Sequence, residues 1–221
     1  MISKLKVYTV KALQILASGF TRHYYTLLYN CNGNKFVCKT RLINCKIHVQ
    51  GSGHTIELGG GYFKNVNIEI SGEFNKLIVS KRVFFNEGGR IVIEDKNCSL
   101  RIGEGTDFVS CFFAIRDNGT KVEIGQDCMF SAQTIVRTSD AHSILNEEGK
   151  RINYGKDVII GNHVWVGYGA NILKGTSIGN NAIVGTQSVV AGINVPEGSV
   201  AAGNPAKIVK RGINWCRKRI P

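Results

Sequence analysis

Between residues 160 and 190 the apolar positions fall on a strict count of six: Ile160, Val166, Ile172, Ile178, Val184 and Val190. Four residues after each of the first five comes a small or β-branched residue: Val164, Ala170, Thr176, Ala182 and Ser188. Glycine follows the apolar position at Gly161, Gly167, Gly179 and Gly185. A period of six matches neither a helix nor an isolated strand. It is the hexapeptide repeat of a parallel β-helix, an all-β fold. Each hexad predicts a short flat strand and a turn. The apolar residue points into a triangular prism, and the small residue packs beside it.

The count continues upstream with less regularity. Ile124, Gly125 and Cys128 match the apolar, glycine and small positions, as do Ile102, Gly103 and Thr106. Short β-rich runs such as 68–70, 77–79 and 91–93 predict the first coils, with looser turns between them. All three prolines, Pro196, Pro205 and Pro221, lie beyond the regular run. That suits an uninterrupted stack, because proline cannot donate to a sheet ladder.

The two ends read differently. Ile2, Leu5, Leu13, Leu16 and Phe20 lie at roughly helical spacing and predict a helix that caps the open end of the stack. Beyond Gly203-Asn204-Pro205, residues 207–219 predict a short strand and then a basic helix anchored by Trp215. The expected organisation is therefore a helical cap over 1–30, a β-helix over 31–204 and a basic segment over 205–221. Within the β-helix, a loop is inserted at about 131–157.

Charge sharpens this division. The chain of 221 residues carries a formal charge of +12, yet residues 57–197 hold 14 basic and 16 acidic side chains. The excess sits at the ends: eight Lys or Arg and no acid in 1–56, six and no acid in 198–221. Such ends either keep the protein in solution or face a polyanion: a nucleotide cofactor, an anionic glycan or an anionic membrane surface. No basic-aromatic motif or reading helix points to nucleic acid. Lys11 and Gln14 interrupt the apolar stretch that a signal peptide would need, and no apolar run is long enough to span a bilayer. Seven scattered cysteines without a CxxC pair predict reduced thiols in the cytoplasm, with Cys98, Cys111 and Cys128 in interior or strand positions.

The regular coils break once, between Phe130 and Val158. A solenoid that interrupts its own period does so to build a binding loop. Asp140 and His142 stand at its entrance. A neutral imidazole can take the proton of a poor hydroxyl nucleophile, which is worth about 10²–10⁴ in rate. Asp140 is either the group that orients that imidazole or a turn former.

Three ordered motifs then carry a resemblance: Thr138-Ser139-Asp140-Ala141-His142-Ser143-Ile144, the run from Val158 to Gly167 that contains Trp165, and Ala201-Ala202-Gly203-Asn204-Pro205-Ala206-Lys207. They resemble the hexapeptide-repeat acyltransferases, and within them the sugar O-acetyltransferases that act on galactosides, maltose and capsular polysaccharides. The resemblance implies a left-handed β-helix and a homotrimer with active sites in the grooves between subunits. It further implies acetyl-CoA as the donor co-substrate, no metal, and a glycan or sugar-nucleotide acceptor. His142 would be the catalytic base and Trp165 would flank the pantetheine arm. Gly167, Gly185, Thr186 and Ala202 would line the path of the coenzyme, and Lys207 would meet its nucleotide end. Where the family carries Thr-Lys before the last turn, this chain has Ala191-Gly192, which shifts the phosphate contacts toward Lys207, Lys210 and Arg211. The implied setting is cytoplasmic, with the inner membrane surface as a further contact.

Two readings compete. A zinc enzyme of the same fold needs three histidines across a subunit interface, but His48 and His54 are six apart and fall on successive faces. A scaffold β-helix without activity would have no use for the His142 loop. Within the enzyme reading, N-acylation of an amino-sugar nucleotide and serine or antibiotic acetylation stay open.

Overall fold

The structure is a computed structural model that describes residues 6–10, 25–29 and 32–221. The strands stack as a parallel β-helix with three faces. The first face is one sheet of eight strands, from Lys35–Cys38 at one end through Lys121–Ile124 and Val158–Ile160 to Asn194–Val195 at the other. In the regular coils, Met129–Phe130, Trp165–Val166, Ile183–Val184 and Ser199–Gly203 pair along the second face. Thr134–Arg137, Asn171–Leu173 and Val189–Ala191 pair along the third.

Coil length sets the width of the prism. The hexads close a coil in 18 residues, the separation of Asn162 from Asn180 whose side chain it meets one coil on. Upstream, stacked positions lie 20 to 23 residues apart. These longer coils enclose more volume and fill it with Phe63, Phe85, Phe108, Phe113 and Phe130, all fully buried. Phe85 stacks on Phe108 with ring centroids 4.4 Å apart, and Phe108 meets Phe130 at 4.7 Å. The 18-residue coils hold Val166, Val184, Ala170 and Ala182 instead. Interiors pack to crystal-like density, so a wider coil demands a larger side chain. Stacking also dictates glycine where backbones close up: a Cβ on Gly72 would lie 1.9 Å from the carbonyl oxygen of Asp95.

Both ends depart from the helical expectation. Lys6–Val10 is a strand, antiparallel to Tyr25–Tyr29, which itself extends the stack in parallel beside Cys45–Val49. The alternation Lys-Val-Tyr-Thr-Val favours a strand, and the pairing covers an edge that a helix would leave open. The rest of the expected N-terminal helix lies outside the described residues. At the other end, Gly203-Asn204-Pro205 reverses the chain, and Ala206–Arg211 pairs antiparallel with Ser199–Gly203. The expected basic helix after it is absent: residues 212–221 are irregular. This segment folds back over the coils because Trp215 is buried against them. Its indole Nε1 donates to the carbonyl of His163 at 2.8 Å, and its ring stacks on the His163 imidazole at 4.1 Å. Arg217 continues the strap by donating to Asp127 and to the carbonyl of Cys128, each at 3.1 Å, and by pairing with Asp107.

Among the described residues no helix is long and apolar enough to cross a membrane. Cys45, Cys98, Cys111 and Cys128 are buried, and burial pushes the Cys111 thiol up to about 12 and Cys128 to about 11.

Candidate active site

The coil that carries His142 is twice the regular length. Gln126 and Asn162, which meet through the Asn162 side chain, are 36 residues apart. Thr134–Arg137 completes the third face, so the excursion starts later than the sequence suggested. It closes where Lys156 N–H donates to the Thr138 carbonyl at 2.9 Å. The loop therefore leaves and re-enters the prism at one point, the corner between the third and first faces.

Thr138 is fully buried and anchors that corner: its hydroxyl donates to the Arg116 carbonyl at 2.9 Å. Below the loop, Asp117 accepts from both terminal nitrogens of Arg151, at 3.1 and 2.6 Å, and from Gly155 N–H at 2.6 Å. Burial pushes the Asp117 carboxyl up, but the bonds from Arg151, Gly155 and Ser139 outweigh it and hold it below the usual range. Charge-assisted bidentate pairing of this kind fixes orientation as well as distance. The outer part of the loop is a small hairpin: Ile152 N–H donates to the Ile144 carbonyl at 2.9 Å, and Asn146 N–H to that of Lys150 at 2.9 Å.

Asn153 is the hub, with only 9% of its surface exposed. Its Nδ2 donates to the Asp140 carboxylate at 2.7 Å and to the His142 carbonyl at 2.8 Å. Its Oδ1 accepts from Ile144 N–H at 2.8 Å. From the next coil, Lys174 Nζ donates to Asp140 at 2.5 Å and to the Asn153 carbonyl at 3.0 Å. The Lys174 bond is the largest effect on the Asp140 carboxyl and holds it below its usual range, against a smaller opposing effect of burial. Asp140 thus meets Lys174 and Asn153, and its link to His142 runs through the Asn153 amide to the backbone. The His142 side chain is exposed, and no described residue hydrogen-bonds its ring.

Trp165 is elsewhere in the chain. It lies on the second face, 37% exposed, with its ring 6.0 Å from that of Trp215. Register carries it to the C-terminal cations: Trp165 pairs with Ile183, Ile183 with Val200, and Val200 with Lys210. Three strand spacings put the ends of this ladder roughly 14 Å apart. Lys207 pairs with Ala202 on the same side, and Arg211 is exposed at the strand end. Gly167, Gly185 and Ala202 form a column of small residues beside the ladder, with Thr186 exposed at its edge. A Cβ on Gly167 would lie 2.6 Å from the Thr186 nitrogen, so glycine there serves coil stacking.

The structure thus brings His142 and Asp140 together at one corner. It gathers Trp165, Gly167, Gly185, Thr186, Ala202, Lys207, Lys210 and Arg211 on a different face. Sequence reasoning missed Asn153, Lys174, Asp117 and Arg151; it named Trp215 as the C-terminal anchor but expected a helix where the chain is an irregular strap. Lys174 had a signal: Val136 pairs with Ile172, and two residues further along each strand the same register sets Lys174 over Thr138 at the loop mouth. Of the histidines weighed for zinc, His54 is fully buried and committed. Its Nδ1 accepts from Asn75 N–H at 3.1 Å, and its Nε2 meets the Gln50 carbonyl at 2.8 Å.

A β-helix of hexads that breaks its period once for a braced histidine loop, and sets an exposed indole and a cation ladder on another face, has the build of a hexapeptide-repeat acyltransferase. The bacterial transferase hexapeptide family (six repeats) matches residues 157–192. The polysialic acid O-acetyltransferase of Neisseria meningitidis is 37% identical over 185 residues, which cover 82% of this chain and 85% of that protein. The polysialic acid O-acetyltransferase of Escherichia coli O1:K1 / APEC is 39% identical over 127 residues, 57% of this chain and 41% of that longer protein. Among solved structures, the polysialic-acid-specific acetyltransferase NeuO superposes with a TM-score of 0.77 at 33% identity, over 88% of this chain and 89% of its own. The polysialic acid O-acetyltransferase OatWY gives a TM-score of 0.72 at 33% identity, over 86% and 89%. The chain belongs to the hexapeptide-repeat acetyltransferase family, and its class is sugar O-acetyltransferase.

Proposed function

We propose that this enzyme transfers an acetyl group from acetyl-CoA to a hydroxyl of a sialic-acid-type unit in an anionic surface glycan, with His142 as general base. The observation that carries the reading is the His142 loop. Its backbone is clamped by Asn153, and Asn153 is held in turn by Asp140 and Lys174, while no described residue occupies the ring nitrogens by hydrogen bonding. A general base needs this combination of a fixed backbone and an available ring. The acceptor class rests on the relatives, whose substrate is polysialic acid.

The donor brings an activated thioester carbonyl. Trp165 would flank its pantetheine arm, and Lys207, Lys210 and Arg211 would meet its phosphates at the far end of the ladder. The sugar hydroxyl oxygen attacks the carbonyl carbon while His142 takes the hydroxyl proton. The carbon–sulfur bond breaks, and the proton passes to the departing sulfur. Both substrates meet in one site, so positioning supplies much of the acceleration and no acyl-enzyme is needed.

The separation of His142 from Trp165 within one chain supports an assembly. The loop leaves at the corner between the third and first faces, whereas Trp165 and the cations lie on the second. A homotrimer with grooves between neighbours would set the loop of one subunit against the indole ladder of the next. It would also cover Ile144, Leu145 and Ile152, which are 56 to 59% exposed in the single chain. Because the donor is an intracellular metabolite, the reading places the enzyme in the cytoplasm, and its basic ends suit the anionic inner membrane surface.

The test is His142→Ala. Turnover of oligosialic acid should fall by about 10²-fold or more while acetyl-CoA binding, followed by calorimetry, persists. Turnover within a few-fold of wild type would remove His142 from the role. Light scattering should report three copies per particle, and a fully active monomer would end the shared-groove reading.

A further inference from the structure

Below the loop lies a cleft of about 410 Å³, within the range of small-molecule sites. Its walls include Asp95, Asn118, Asp117, Arg151, Tyr154 and Gly155. None of these residues belongs to the donor ladder. We propose that this cleft is the acceptor subsite, with Tyr154 as the platform for a sugar ring and Asp95 and Asn118 as the groups that read its hydroxyls. The proposal rests on the sugar O-acetyltransferase reading and names where its acceptor binds.

Tyr154 is an aromatic residue with 62% of its surface exposed. It is nevertheless held in place. The Arg151 guanidinium lies 5.3 Å from its ring centroid, and Arg151 is itself fixed by two bonds to Asp117. A cation on one face of a ring leaves the other face for a ligand, and the C–H face of a sugar presents the weakly positive edge that an aromatic face attracts. No described residue bonds the Tyr154 hydroxyl.

The flanking polar groups have unused capacity. One carboxylate oxygen of Asp95 accepts from Asp117 N–H at 2.8 Å, and the other has no partner among the described residues. Asn118 uses its Oδ1 to accept from Lys96 N–H at 3.0 Å, which leaves the amide Nδ2 to donate. One acceptor and one donor lining the same cleft as an aromatic ring suit a polyol. They do not suit a carboxylate: the charge of Arg151 is taken by Asp117, and Asp95 would repel a second anion. The cleft therefore takes the hydroxyl-bearing part of an acidic sugar and leaves its carboxylate outside.

Position ties the cleft to the chemistry. Tyr154 follows Asn153, whose side chain holds the His142 carbonyl at 2.8 Å from across the loop. A sugar stacked on Tyr154 is thus bound to the same rigid loop that carries the candidate base.

The test is steady-state kinetics with oligosialic acid and acetyl-CoA, joined to saturation-transfer NMR of the oligomer on the enzyme. In Tyr154→Ala and Asn118→Ala the acceptor KM should rise about 10-fold or more while the acetyl-CoA KM stays within twofold. Tyr154→Phe, which keeps the ring, should restore most of the acceptor affinity. Saturation transfer to the sugar ring protons should weaken in Tyr154→Ala. Circular dichroism melts check that each variant folds. If wild type acetylates the oligomer and both alanine variants keep its acceptor KM within twofold, the cleft is not the subsite and the proposed function stands. If wild type neither acetylates the oligomer nor shows saturation transfer from it, the function falls and the cleft assignment falls with it.

Discussion

Asn153 holds His142 by its backbone: the amide Nδ2 donates to the His142 carbonyl at 2.8 Å across eleven residues of loop. The same amide group also engages Asp140 and Ile144, so one buried side chain ties both limbs of the excursion together. None of these bonds touches the apolar interior of the prism. Loop order and coil stability are therefore separable in this protein.

Asn153→Ala tests that separation. It removes four side-chain bonds, those with Asp140, His142, Ile144 and Arg151, each worth about 0.5–1.5 kcal/mol net, and frees the segment that positions the ring. A shift of about 1 Å at a reacting group can cost 10²-fold. The expected result is a fall in kcat of about 10–10²-fold, with the acetyl-CoA KM nearly unchanged and the melting temperature within a few degrees of wild type. Hydrogen exchange over residues 140–152 should quicken in the same variant.

Lys174 acts on the same hub from the next coil. Lys174→Met should release the Asp140 carboxyl upward toward its ordinary value of 3.8. The sign follows from the lowered pKa of the folded form. The stabilisation is present above pH 3.8, and it is lost as pH falls through the depressed value. Carbon-detected NMR titration of Asp140 should show the midpoint move up in the variant. The Asp140 side chain is 43% exposed, so a double-mutant cycle with Asp140→Asn should give a coupling of only about 0.2–1 kcal/mol.

His54 gives the fold a second pH window, well above that of the carboxylates. It is fully buried, and burial pushes its pKa below the ordinary 6.5, against a smaller opposing effect of the Gln50 bond. The unfolded chain therefore binds more protons than the folded one just below pH 6.5. Stability is full above that pH and declines as pH falls toward the depressed folded value. Urea midpoints between pH 7.5 and 5 should fall for wild type and flatten for His54→Ala.

The C-terminal strap depends on Trp215. Trp215→Ala removes the stack on His163 and the bond to its carbonyl. Loss of a large buried aromatic costs about 3–5 kcal/mol, and here the cost falls on docking of residues 212–221. Tryptic cleavage at Arg217 and Lys218 should accelerate at least tenfold, while circular dichroism of the β-helix is unchanged. An unaltered cleavage rate would mean that Arg217 and its carboxylate partners hold the strap without the indole.

The hexads of 160–190 determined the parallel β-helix by themselves, because a strict period of six can bury its apolar column in no other way. The same local pattern exposed the broken coil, and with it His142 and Asp140 as the candidate chemistry. The resemblance of the motifs to a known family added Trp165 and the terminal cations. Over Lys6–Val10 and 212–221 the helical spacing misled, because local spacing carries no information about open sheet edges. Lys6–Val10 is a strand because Tyr25–Tyr29 offers unpaired backbone groups beside it, whereas the short strand expected after Pro205 is present as Ala206–Arg211, beside Ser199–Gly203. The wider coils around Phe85 and Phe108 were blurred in the sequence because their turns vary in length. Only the tertiary structure brought Asn153, Asp140 and Lys174 to one point, since Lys174 is 34 residues from Asp140 in the chain and one coil away in space. Coil stacking makes those neighbours, and it also sets His142 and Trp165 on different sides of a single prism.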